Sequence, residues 1–120
     1  MSDRIFSARP PVLKGTTDSQ DTTEGRVYVT VNFLEGKPVE VFVIHGRAGS
    51  QQRACTEALG RLCSVALQRG ISLRVLTKQL RGISSETTMG LGPNKVLSVP
   101  DAVGRVLDRI GENNACTEPT

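Results

Sequence analysis

Residues 25–44 constrain the fold more than any other stretch of this chain. In "GRVYVTVNFL" (25–34), Val27, Val29, Val31 and Phe33 fall on one side, and Tyr28, Thr30 and Asn32 on the other. A period of two in β-branched residues predicts a strand. "EGKP" then supplies the Gly and Pro of a turn. "VEVFVI" (39–44) alternates again, with Val39, Val41 and Val43 on one face, while Phe42 and Ile44 make its second face apolar too. The simplest arrangement is an antiparallel hairpin. A lone hairpin is marginal in water, so helices or a second subunit must cover it.

The helical signals follow. Cys55, Ala58, Leu59, Leu62, Cys63, Ala66 and Leu67 fall at i, i+3, i+4, i+7, i+8, i+11 and i+12, an apolar stripe at period 3.6. Ser50 is the expected N-cap and Gly70 the stop. A shorter helix is capped by Ser72 and ends at Gly82, with Ile71 expected to staple onto Leu76. "ISSETTMGLGPNK" (83–95) has no helical stripe and reads as a loop with at most a short extended piece. In the last helix Val99, Ala102, Val103, Val106, Leu107 and Ile110 form a stripe, with Ser98 as N-cap, Pro100 in the first turn and Asp101 three residues after the cap, where it can mimic a capping box. The expected class is α+β: an antiparallel hairpin or small sheet followed by three helices.

Both ends are polar and aperiodic. Residues 1–24 and 112–120 therefore read as flexible segments around a domain at 25–111. So small a core is expected to gain from self-association, as a homo-oligomer. The 120 residues carry a net charge of +3, which suits an anionic partner but is mild. Aromatic residues make up only 3%, too few for a base-stacking surface, so polymeric nucleic acid is disfavoured. The N-terminus lacks the apolar run of a leader, and no stretch approaches membrane-spanning length, so a cytoplasmic location is expected. Three cysteines without a CxxC pair, and one histidine, give no usual zinc site; Cys55 and Cys63 read as small buried groups.

Several residues could carry binding chemistry. "HGRAGS" (45–50) joins a strand to a helix. Gly46, Gly49 and Ser50 could present N–H groups to an anion beside Arg47, or the glycines could serve backbone geometry alone. His45 stands next to this loop without an evident catalytic partner. Arg105 and Arg109, one turn apart, could clamp phosphate, or could pair with Asp101 and Glu112 as an ordinary helix surface. Asn94 and Lys95 could reach a phosphate or sugar, or simply solvate the loop.

Taken together, "VEVFVIHGRAGS", "TEALGRLCSVALQRGISLRVLTKQLRGI" and "KVLSVPDAVGRVL" resemble the TSCPD domain, over about residues 25–111. That domain occurs near the C-terminus of adenosylcobalamin-dependent (class II) ribonucleotide reductases and as small separate proteins. The resemblance also marks departures. Where the family has Cys within Ser-Cys-Pro-Asp, this chain has Val99; where relatives often carry a second Cys after the short helix, Ser84 and Ser85 stand. Neither a hydroxyl nor an isopropyl group replaces a thiolate. The barrel, radical site and cobalamin-binding parts of a reductase are missing, so no cofactor and no reductase activity are expected.

The resulting expectation is non-catalytic binding or sequestration of a nucleotide-like anionic small molecule by Gly46, Arg47, Gly49, Ser50, Asn94, Lys95, Arg105 and Arg109. Cyclic-nucleotide immune signals are among the candidates, by analogy with small phage proteins of hairpin-plus-helix build that sequester such signals. The alternative is an accessory, protein-interacting module of ribonucleotide reductase.

Overall fold

The computed structural model describes residues 8–46 and 50–114, apart from the Ser50 side chain. The order is β1 (Lys14–Thr22), β2 (Gly25–Leu34), β3 (Lys37–His45), α1 (Ser50–Gln68), α2 (Leu73–Leu80), a 3-10 turn at Gly92–Asn94, and α3 (Val99–Asn113). The three strands form one antiparallel sheet in the order β1-β2-β3. This is the α+β class that the sequence predicts, with one more strand.

The hairpin forms as its alternation requires. Val27, Val29 and Val31 are fully buried, and Val39, Val41 and Val43 bury beside them. Glu35 and Gly36 turn the chain with φ of 51° and 80°. Positive φ at both central residues of a two-residue loop matches the right-handed twist of the flanking strands.

The N-terminal expectation is corrected. Residues 14–22 are not a flexible segment but β1, paired along its length with β2 from Lys14↔Phe33 to Thr22↔Gly25. The boundary placed at residue 25 falls inside a second hairpin, where the Thr22 hydroxyl donates to the Gly25 carbonyl at 2.7 Å and accepts from the Glu24 N–H. The alternation was invisible because the positions opposite the core valines are polar: Gln20 faces Val27, Asp18 faces Val29 and Thr16 faces Val31. Arg109 of α3 engages two of them. It donates to Asp18 at 2.9 Å, to Gln20 at 3.1 Å and to the Ser19 carbonyl at 2.8 Å. Arg9 is anchored as well, on Glu40 at 2.6 Å. At the other end α3 continues past residue 111 to Asn113, and the Asn114 amide returns to the Ile110 carbonyl. Residues 1–7 and 115–120 lie outside the described residues.

α3 covers the inner face of the sheet and α2 packs against α3; Leu73, Leu80, Val103, Val106, Leu107 and Ile110 share one core with the strand valines. Ser72 and Ser98 cap these helices as the sequence predicts, accepting from the N–H groups of Val75 and Asp101. α1 does something different. It lies along the free edge of β3, the strand whose outer backbone groups would otherwise invite another chain. The Val41 N–H donates to the Ser64 hydroxyl at 2.8 Å, and that hydroxyl donates to the Val41 carbonyl at 3.1 Å. Gln68 donates to the Val39 carbonyl at 3.0 Å. Gly60 permits the approach, because a Cβ there would stand 3.0 Å from the Val41 carbonyl oxygen.

The face of α1 that makes this contact is not the whole predicted stripe. Cys63 and Leu67 are buried, and Leu59 is partly so. Cys55 and Ala58 are exposed, and Leu62 is 70% exposed. Edge capping needs Gly, Ser and Gln, so polar and small residues take the contact face and half of the apolar stripe turns to solvent. No described helix is long and apolar enough to cross a membrane.

Candidate functional site

Among the described residues no helix covers the outer face of the sheet. Tyr28, Phe42 and Ile44 project there, 40%, 49% and 63% exposed. Beside them α1 stands as a wall, so β3 and α1 enclose an open groove of about 1000 Å³. Phe42 and Ile44 form an apolar floor, Arg53, Glu57 and Arg61 line the α1 side, and His45 lies at the end where β3 runs into residues 46–50. Glu57 accepts from Arg61 at 2.7 Å, one helical turn away, which leaves the wall with a net positive charge. His45 is 4% exposed and sits opposite Val27 on the core side. Toward the other end, Glu40 is held by Arg9 and by Asn32 at 2.9 Å. Burial pushes the Glu40 carboxyl up, but these hydrogen bonds outweigh it and hold the group below its ordinary range.

The second constellation surrounds Asp101, which is 1% exposed. Its two oxygens accept from the Gly82 N–H at 2.9 Å, the Leu97 N–H at 3.0 Å and Arg105 at 2.9 Å. Burial raises this carboxyl, and the three donors more than offset that, so its pKa lies below the ordinary 3.8. Ser98 accepts from the Asp101 N–H and donates to the Ile83 carbonyl. Serine and aspartate therefore pin both ends of the loop 82–97 to the start of α3. Within that clamp the Ser85 N–H donates to the Leu97 carbonyl at 2.9 Å, so the two segments that carry Ser84–Ser85 and Val99 are brought together. Val99 itself packs against the small cluster of Val27, Val96 and Ala102. Among the described residues no three His, Cys, Asp or Glu side chains gather where a metal could bind. Burial pushes the Cys63 thiol up, which keeps it protonated and unreactive.

The sequence-predicted binding residues divide. Gly46 is used by the backbone: its N–H donates to the Arg26 carbonyl at 2.7 Å, and a Cβ would press on that carbonyl and on the Tyr28 ring. Arg47, Gly49 and the Ser50 side chain lie outside the described residues. Asn94 is exposed in the 3-10 turn, and the Lys95 carbonyl accepts from Arg105 at 2.6 Å. Arg105 thus closes the Asp101 clamp, and Arg109 holds β1; the structure engages both guanidinium groups within the fold instead of leaving them as a pair toward solvent. Arg109 does not pair with Glu112 but reaches the strand farthest from α1. Val27 links the two groups of residues, since it pairs with His45 across the sheet and packs with Val96 and Ala102. The sequence reading missed Phe42, Ile44, Arg53 and Arg61 as one groove. The doubly apolar strand 39–44 was the available signal; nothing local in α1 said that its charged residues face the sheet.

A family model described as the TSCPD domain matches residues 4–110, nearly the whole chain and including β1. This chain belongs to the TSCPD family. Among curated proteins and among solved structures nothing matches. In this TSCPD domain the Ser-Val-Pro-Asp sequence at 98–101 is an architectural clamp: Ser98 and Asp101 hold the 82–97 loop, and Val99 packs on the cluster of Val27, Val96 and Ala102.

Proposed function

We propose that this TSCPD-domain protein is a non-catalytic binding protein that holds an anionic, nucleotide-like small molecule in the groove between β3 and α1. The observation that supports this reading is the groove itself: an apolar floor with an aromatic ring, beside a wall bearing two arginines. A base would lie on Phe42 and Ile44. Arg53 and Arg61 would take phosphate oxygens, with Arg47 of the 46–50 segment close at hand in sequence. Arg105 and Arg109 drop out of this site, because both are engaged within the fold. Isothermal titration against mononucleotides and cyclic di- and trinucleotides tests the reading. Saturable binding is expected, weakened about tenfold or more by R53A or F42A and little changed by R109A. A folded sample that binds none of them, or binds them equally well in R53A and F42A, rules the proposal out.

A second reading is an accessory module that docks on a larger enzyme such as ribonucleotide reductase. The exposed Tyr28, Phe42 and Ile44 favour it, since contiguous apolar side chains on a surface mark contact sites. Under that reading F42A weakens capture of the enzyme and no nucleotide binds.

A further inference from the structure

The sheet ends on one side at β3, whose outer backbone groups α1 takes up, and on the other at β1. A bare edge of that length invites another strand. Which β1 groups point outward follows from the ladder. The Gly46 N–H reaches the Arg26 carbonyl at 2.7 Å, so Arg26 turns its backbone groups toward β3. Alternation along an antiparallel strand then turns those of Val27 and Val29 toward β1. Their partners there are Gln20 and Asp18. The backbone groups of Thr17, Ser19 and Asp21 therefore point away from the sheet.

Side chains occupy three of these outward groups. The Ser19 N–H donates to Asp18 Oδ1 at 2.7 Å, and the Ser19 carbonyl accepts from Arg109 at 2.8 Å. The Asp21 carbonyl accepts from Gln20 Nε2 at 3.2 Å. Arg109 also grips the two side chains that do this, Asp18 Oδ2 at 2.9 Å and Gln20 Oε1 at 3.1 Å. One guanidinium thus organises a polar strip along the edge from residue 18 to residue 21. Asp18 lies opposite the core residue Val29, and a charge directed inward from an edge strand protects that edge from pairing. The two closures differ in kind. Ser64 and Gln68 are built into a 19-residue helix. The Arg109–Asp18 pair is 41% and 40% exposed, so water competes for it.

We infer that Arg109 and Asp18 form a releasable lock on the β1 edge, and that opening it turns β1 into an acceptor for the β1 of a second copy. The second copy is the occupant because β3 is masked by α1, so in the pure protein only another β1 offers its edge. Pairing two β1 strands uses up both edges and closes at the dimer. The inference does not rest on the ligand reading, since no residue of β1 lines the groove.

Sedimentation velocity across a concentration series tests it. D18A, folded by circular dichroism, should form a dimer that rises with concentration beyond anything seen in wild type. T17P/D18A should return to the wild-type profile, because proline removes an outward N–H without touching the ladder. At high dilution the Ser19 amide should exchange about tenfold or more faster in D18A than in wild type. Should D18A not fold, R109Q and T17P/R109Q carry the same comparison. A folded D18A or R109Q with the wild-type profile, a dimer that survives T17P, or an unchanged Ser19 exchange rate in D18A would each overturn the inference.

Discussion

Asp101 illustrates what a single side chain carries in this fold. It is buried, and its carboxylate is drawn on by two loop N–H groups and a helix arginine together. Asparagine has the same shape but turns one acceptor into a donor facing N–H groups. D101N should therefore cost about 3 kcal/mol, the penalty for leaving buried donors and a charge unmatched, and lower the melting temperature by roughly 15 °C. The pH dependence follows from the sign of the shift. The folded pKa of Asp101 is below 3.8, so the stabilisation is fully present above that value and is lost as pH falls through the folded one. Glu40 and Asp18 are shifted the same way, Asp18 because the donors from Arg109 and the Ser19 N–H outweigh the effect of burial. D101N should consequently show a shallower fall in stability below about pH 4 than wild type, without abolishing it. Chemical denaturation between pH 2.5 and 6 measures both quantities. An equal acid slope in the two proteins would show that Asp101 is not charged in the folded state. R109A should be milder, about 1 kcal/mol, since its pair with Asp18 is 41% and 40% exposed.

Among the elements, β1 and α1 show most clearly what a sequence pattern can and cannot say. The 25–44 hairpin and the caps at Ser72 and Ser98 were legible because each rests on local chemistry: alternation, turn residues, a hydroxyl before a helix. β1 was not, because its inward positions are polar and their partner, Arg109, lies about 90 residues away in sequence, a link no local period reveals. Of the candidate groove only the doubly apolar strand 39–44 was legible, and the predicted Arg47 and Gly49 lie outside the described residues. Arg105 and Arg109 looked available on their helix, and their tertiary acceptors, the Lys95 carbonyl and β1, were not inferable from i, i+4 spacing. If β1 is integral, removing residues 1–22 leaves the backbone of β2 as a bare edge beside its core valines. The truncated chain should be insoluble or unfolded by circular dichroism; unchanged melting would restore the flexible-segment reading. At α1, G60V brings a branched side chain against backbone that cannot yield, 3.0 Å from the Val41 oxygen at its first atom. It should cost about 2–3 kcal/mol in urea denaturation, and G60A less. Equal stability of all three would mean that α1 does not grip the β3 edge.

For the whole molecule, the closure of the sheet edges links stability to assembly. One sheet face, α3 and α2 share the core, while α1 contributes only part of its apolar side to it and masks the β3 edge instead. Leu62 and Val65 are left outside, and exposed leucine and valine contribute nothing to a monomer's stability. β1 likewise places Asp18 and Gln20 opposite core valines, and these hold its edge with Arg109. If D18A opens that edge to a second copy, the folded dimer is favoured by mass action and the unfolded chain is not. The melting temperature of D18A should then climb with protein concentration, by a few degrees over about a hundredfold range, since that range is worth about 2.7 kcal/mol per mole of dimer. T17P/D18A should climb no more steeply than wild type, because its β1 edge is blocked again. Differential scanning fluorimetry with an external dye, run from about 1 to 100 μM, resolves this. Equal slopes for D18A and T17P/D18A would mean that the β1 edge takes no second strand, and that the Arg109–Asp18 pair guards nothing at these concentrations.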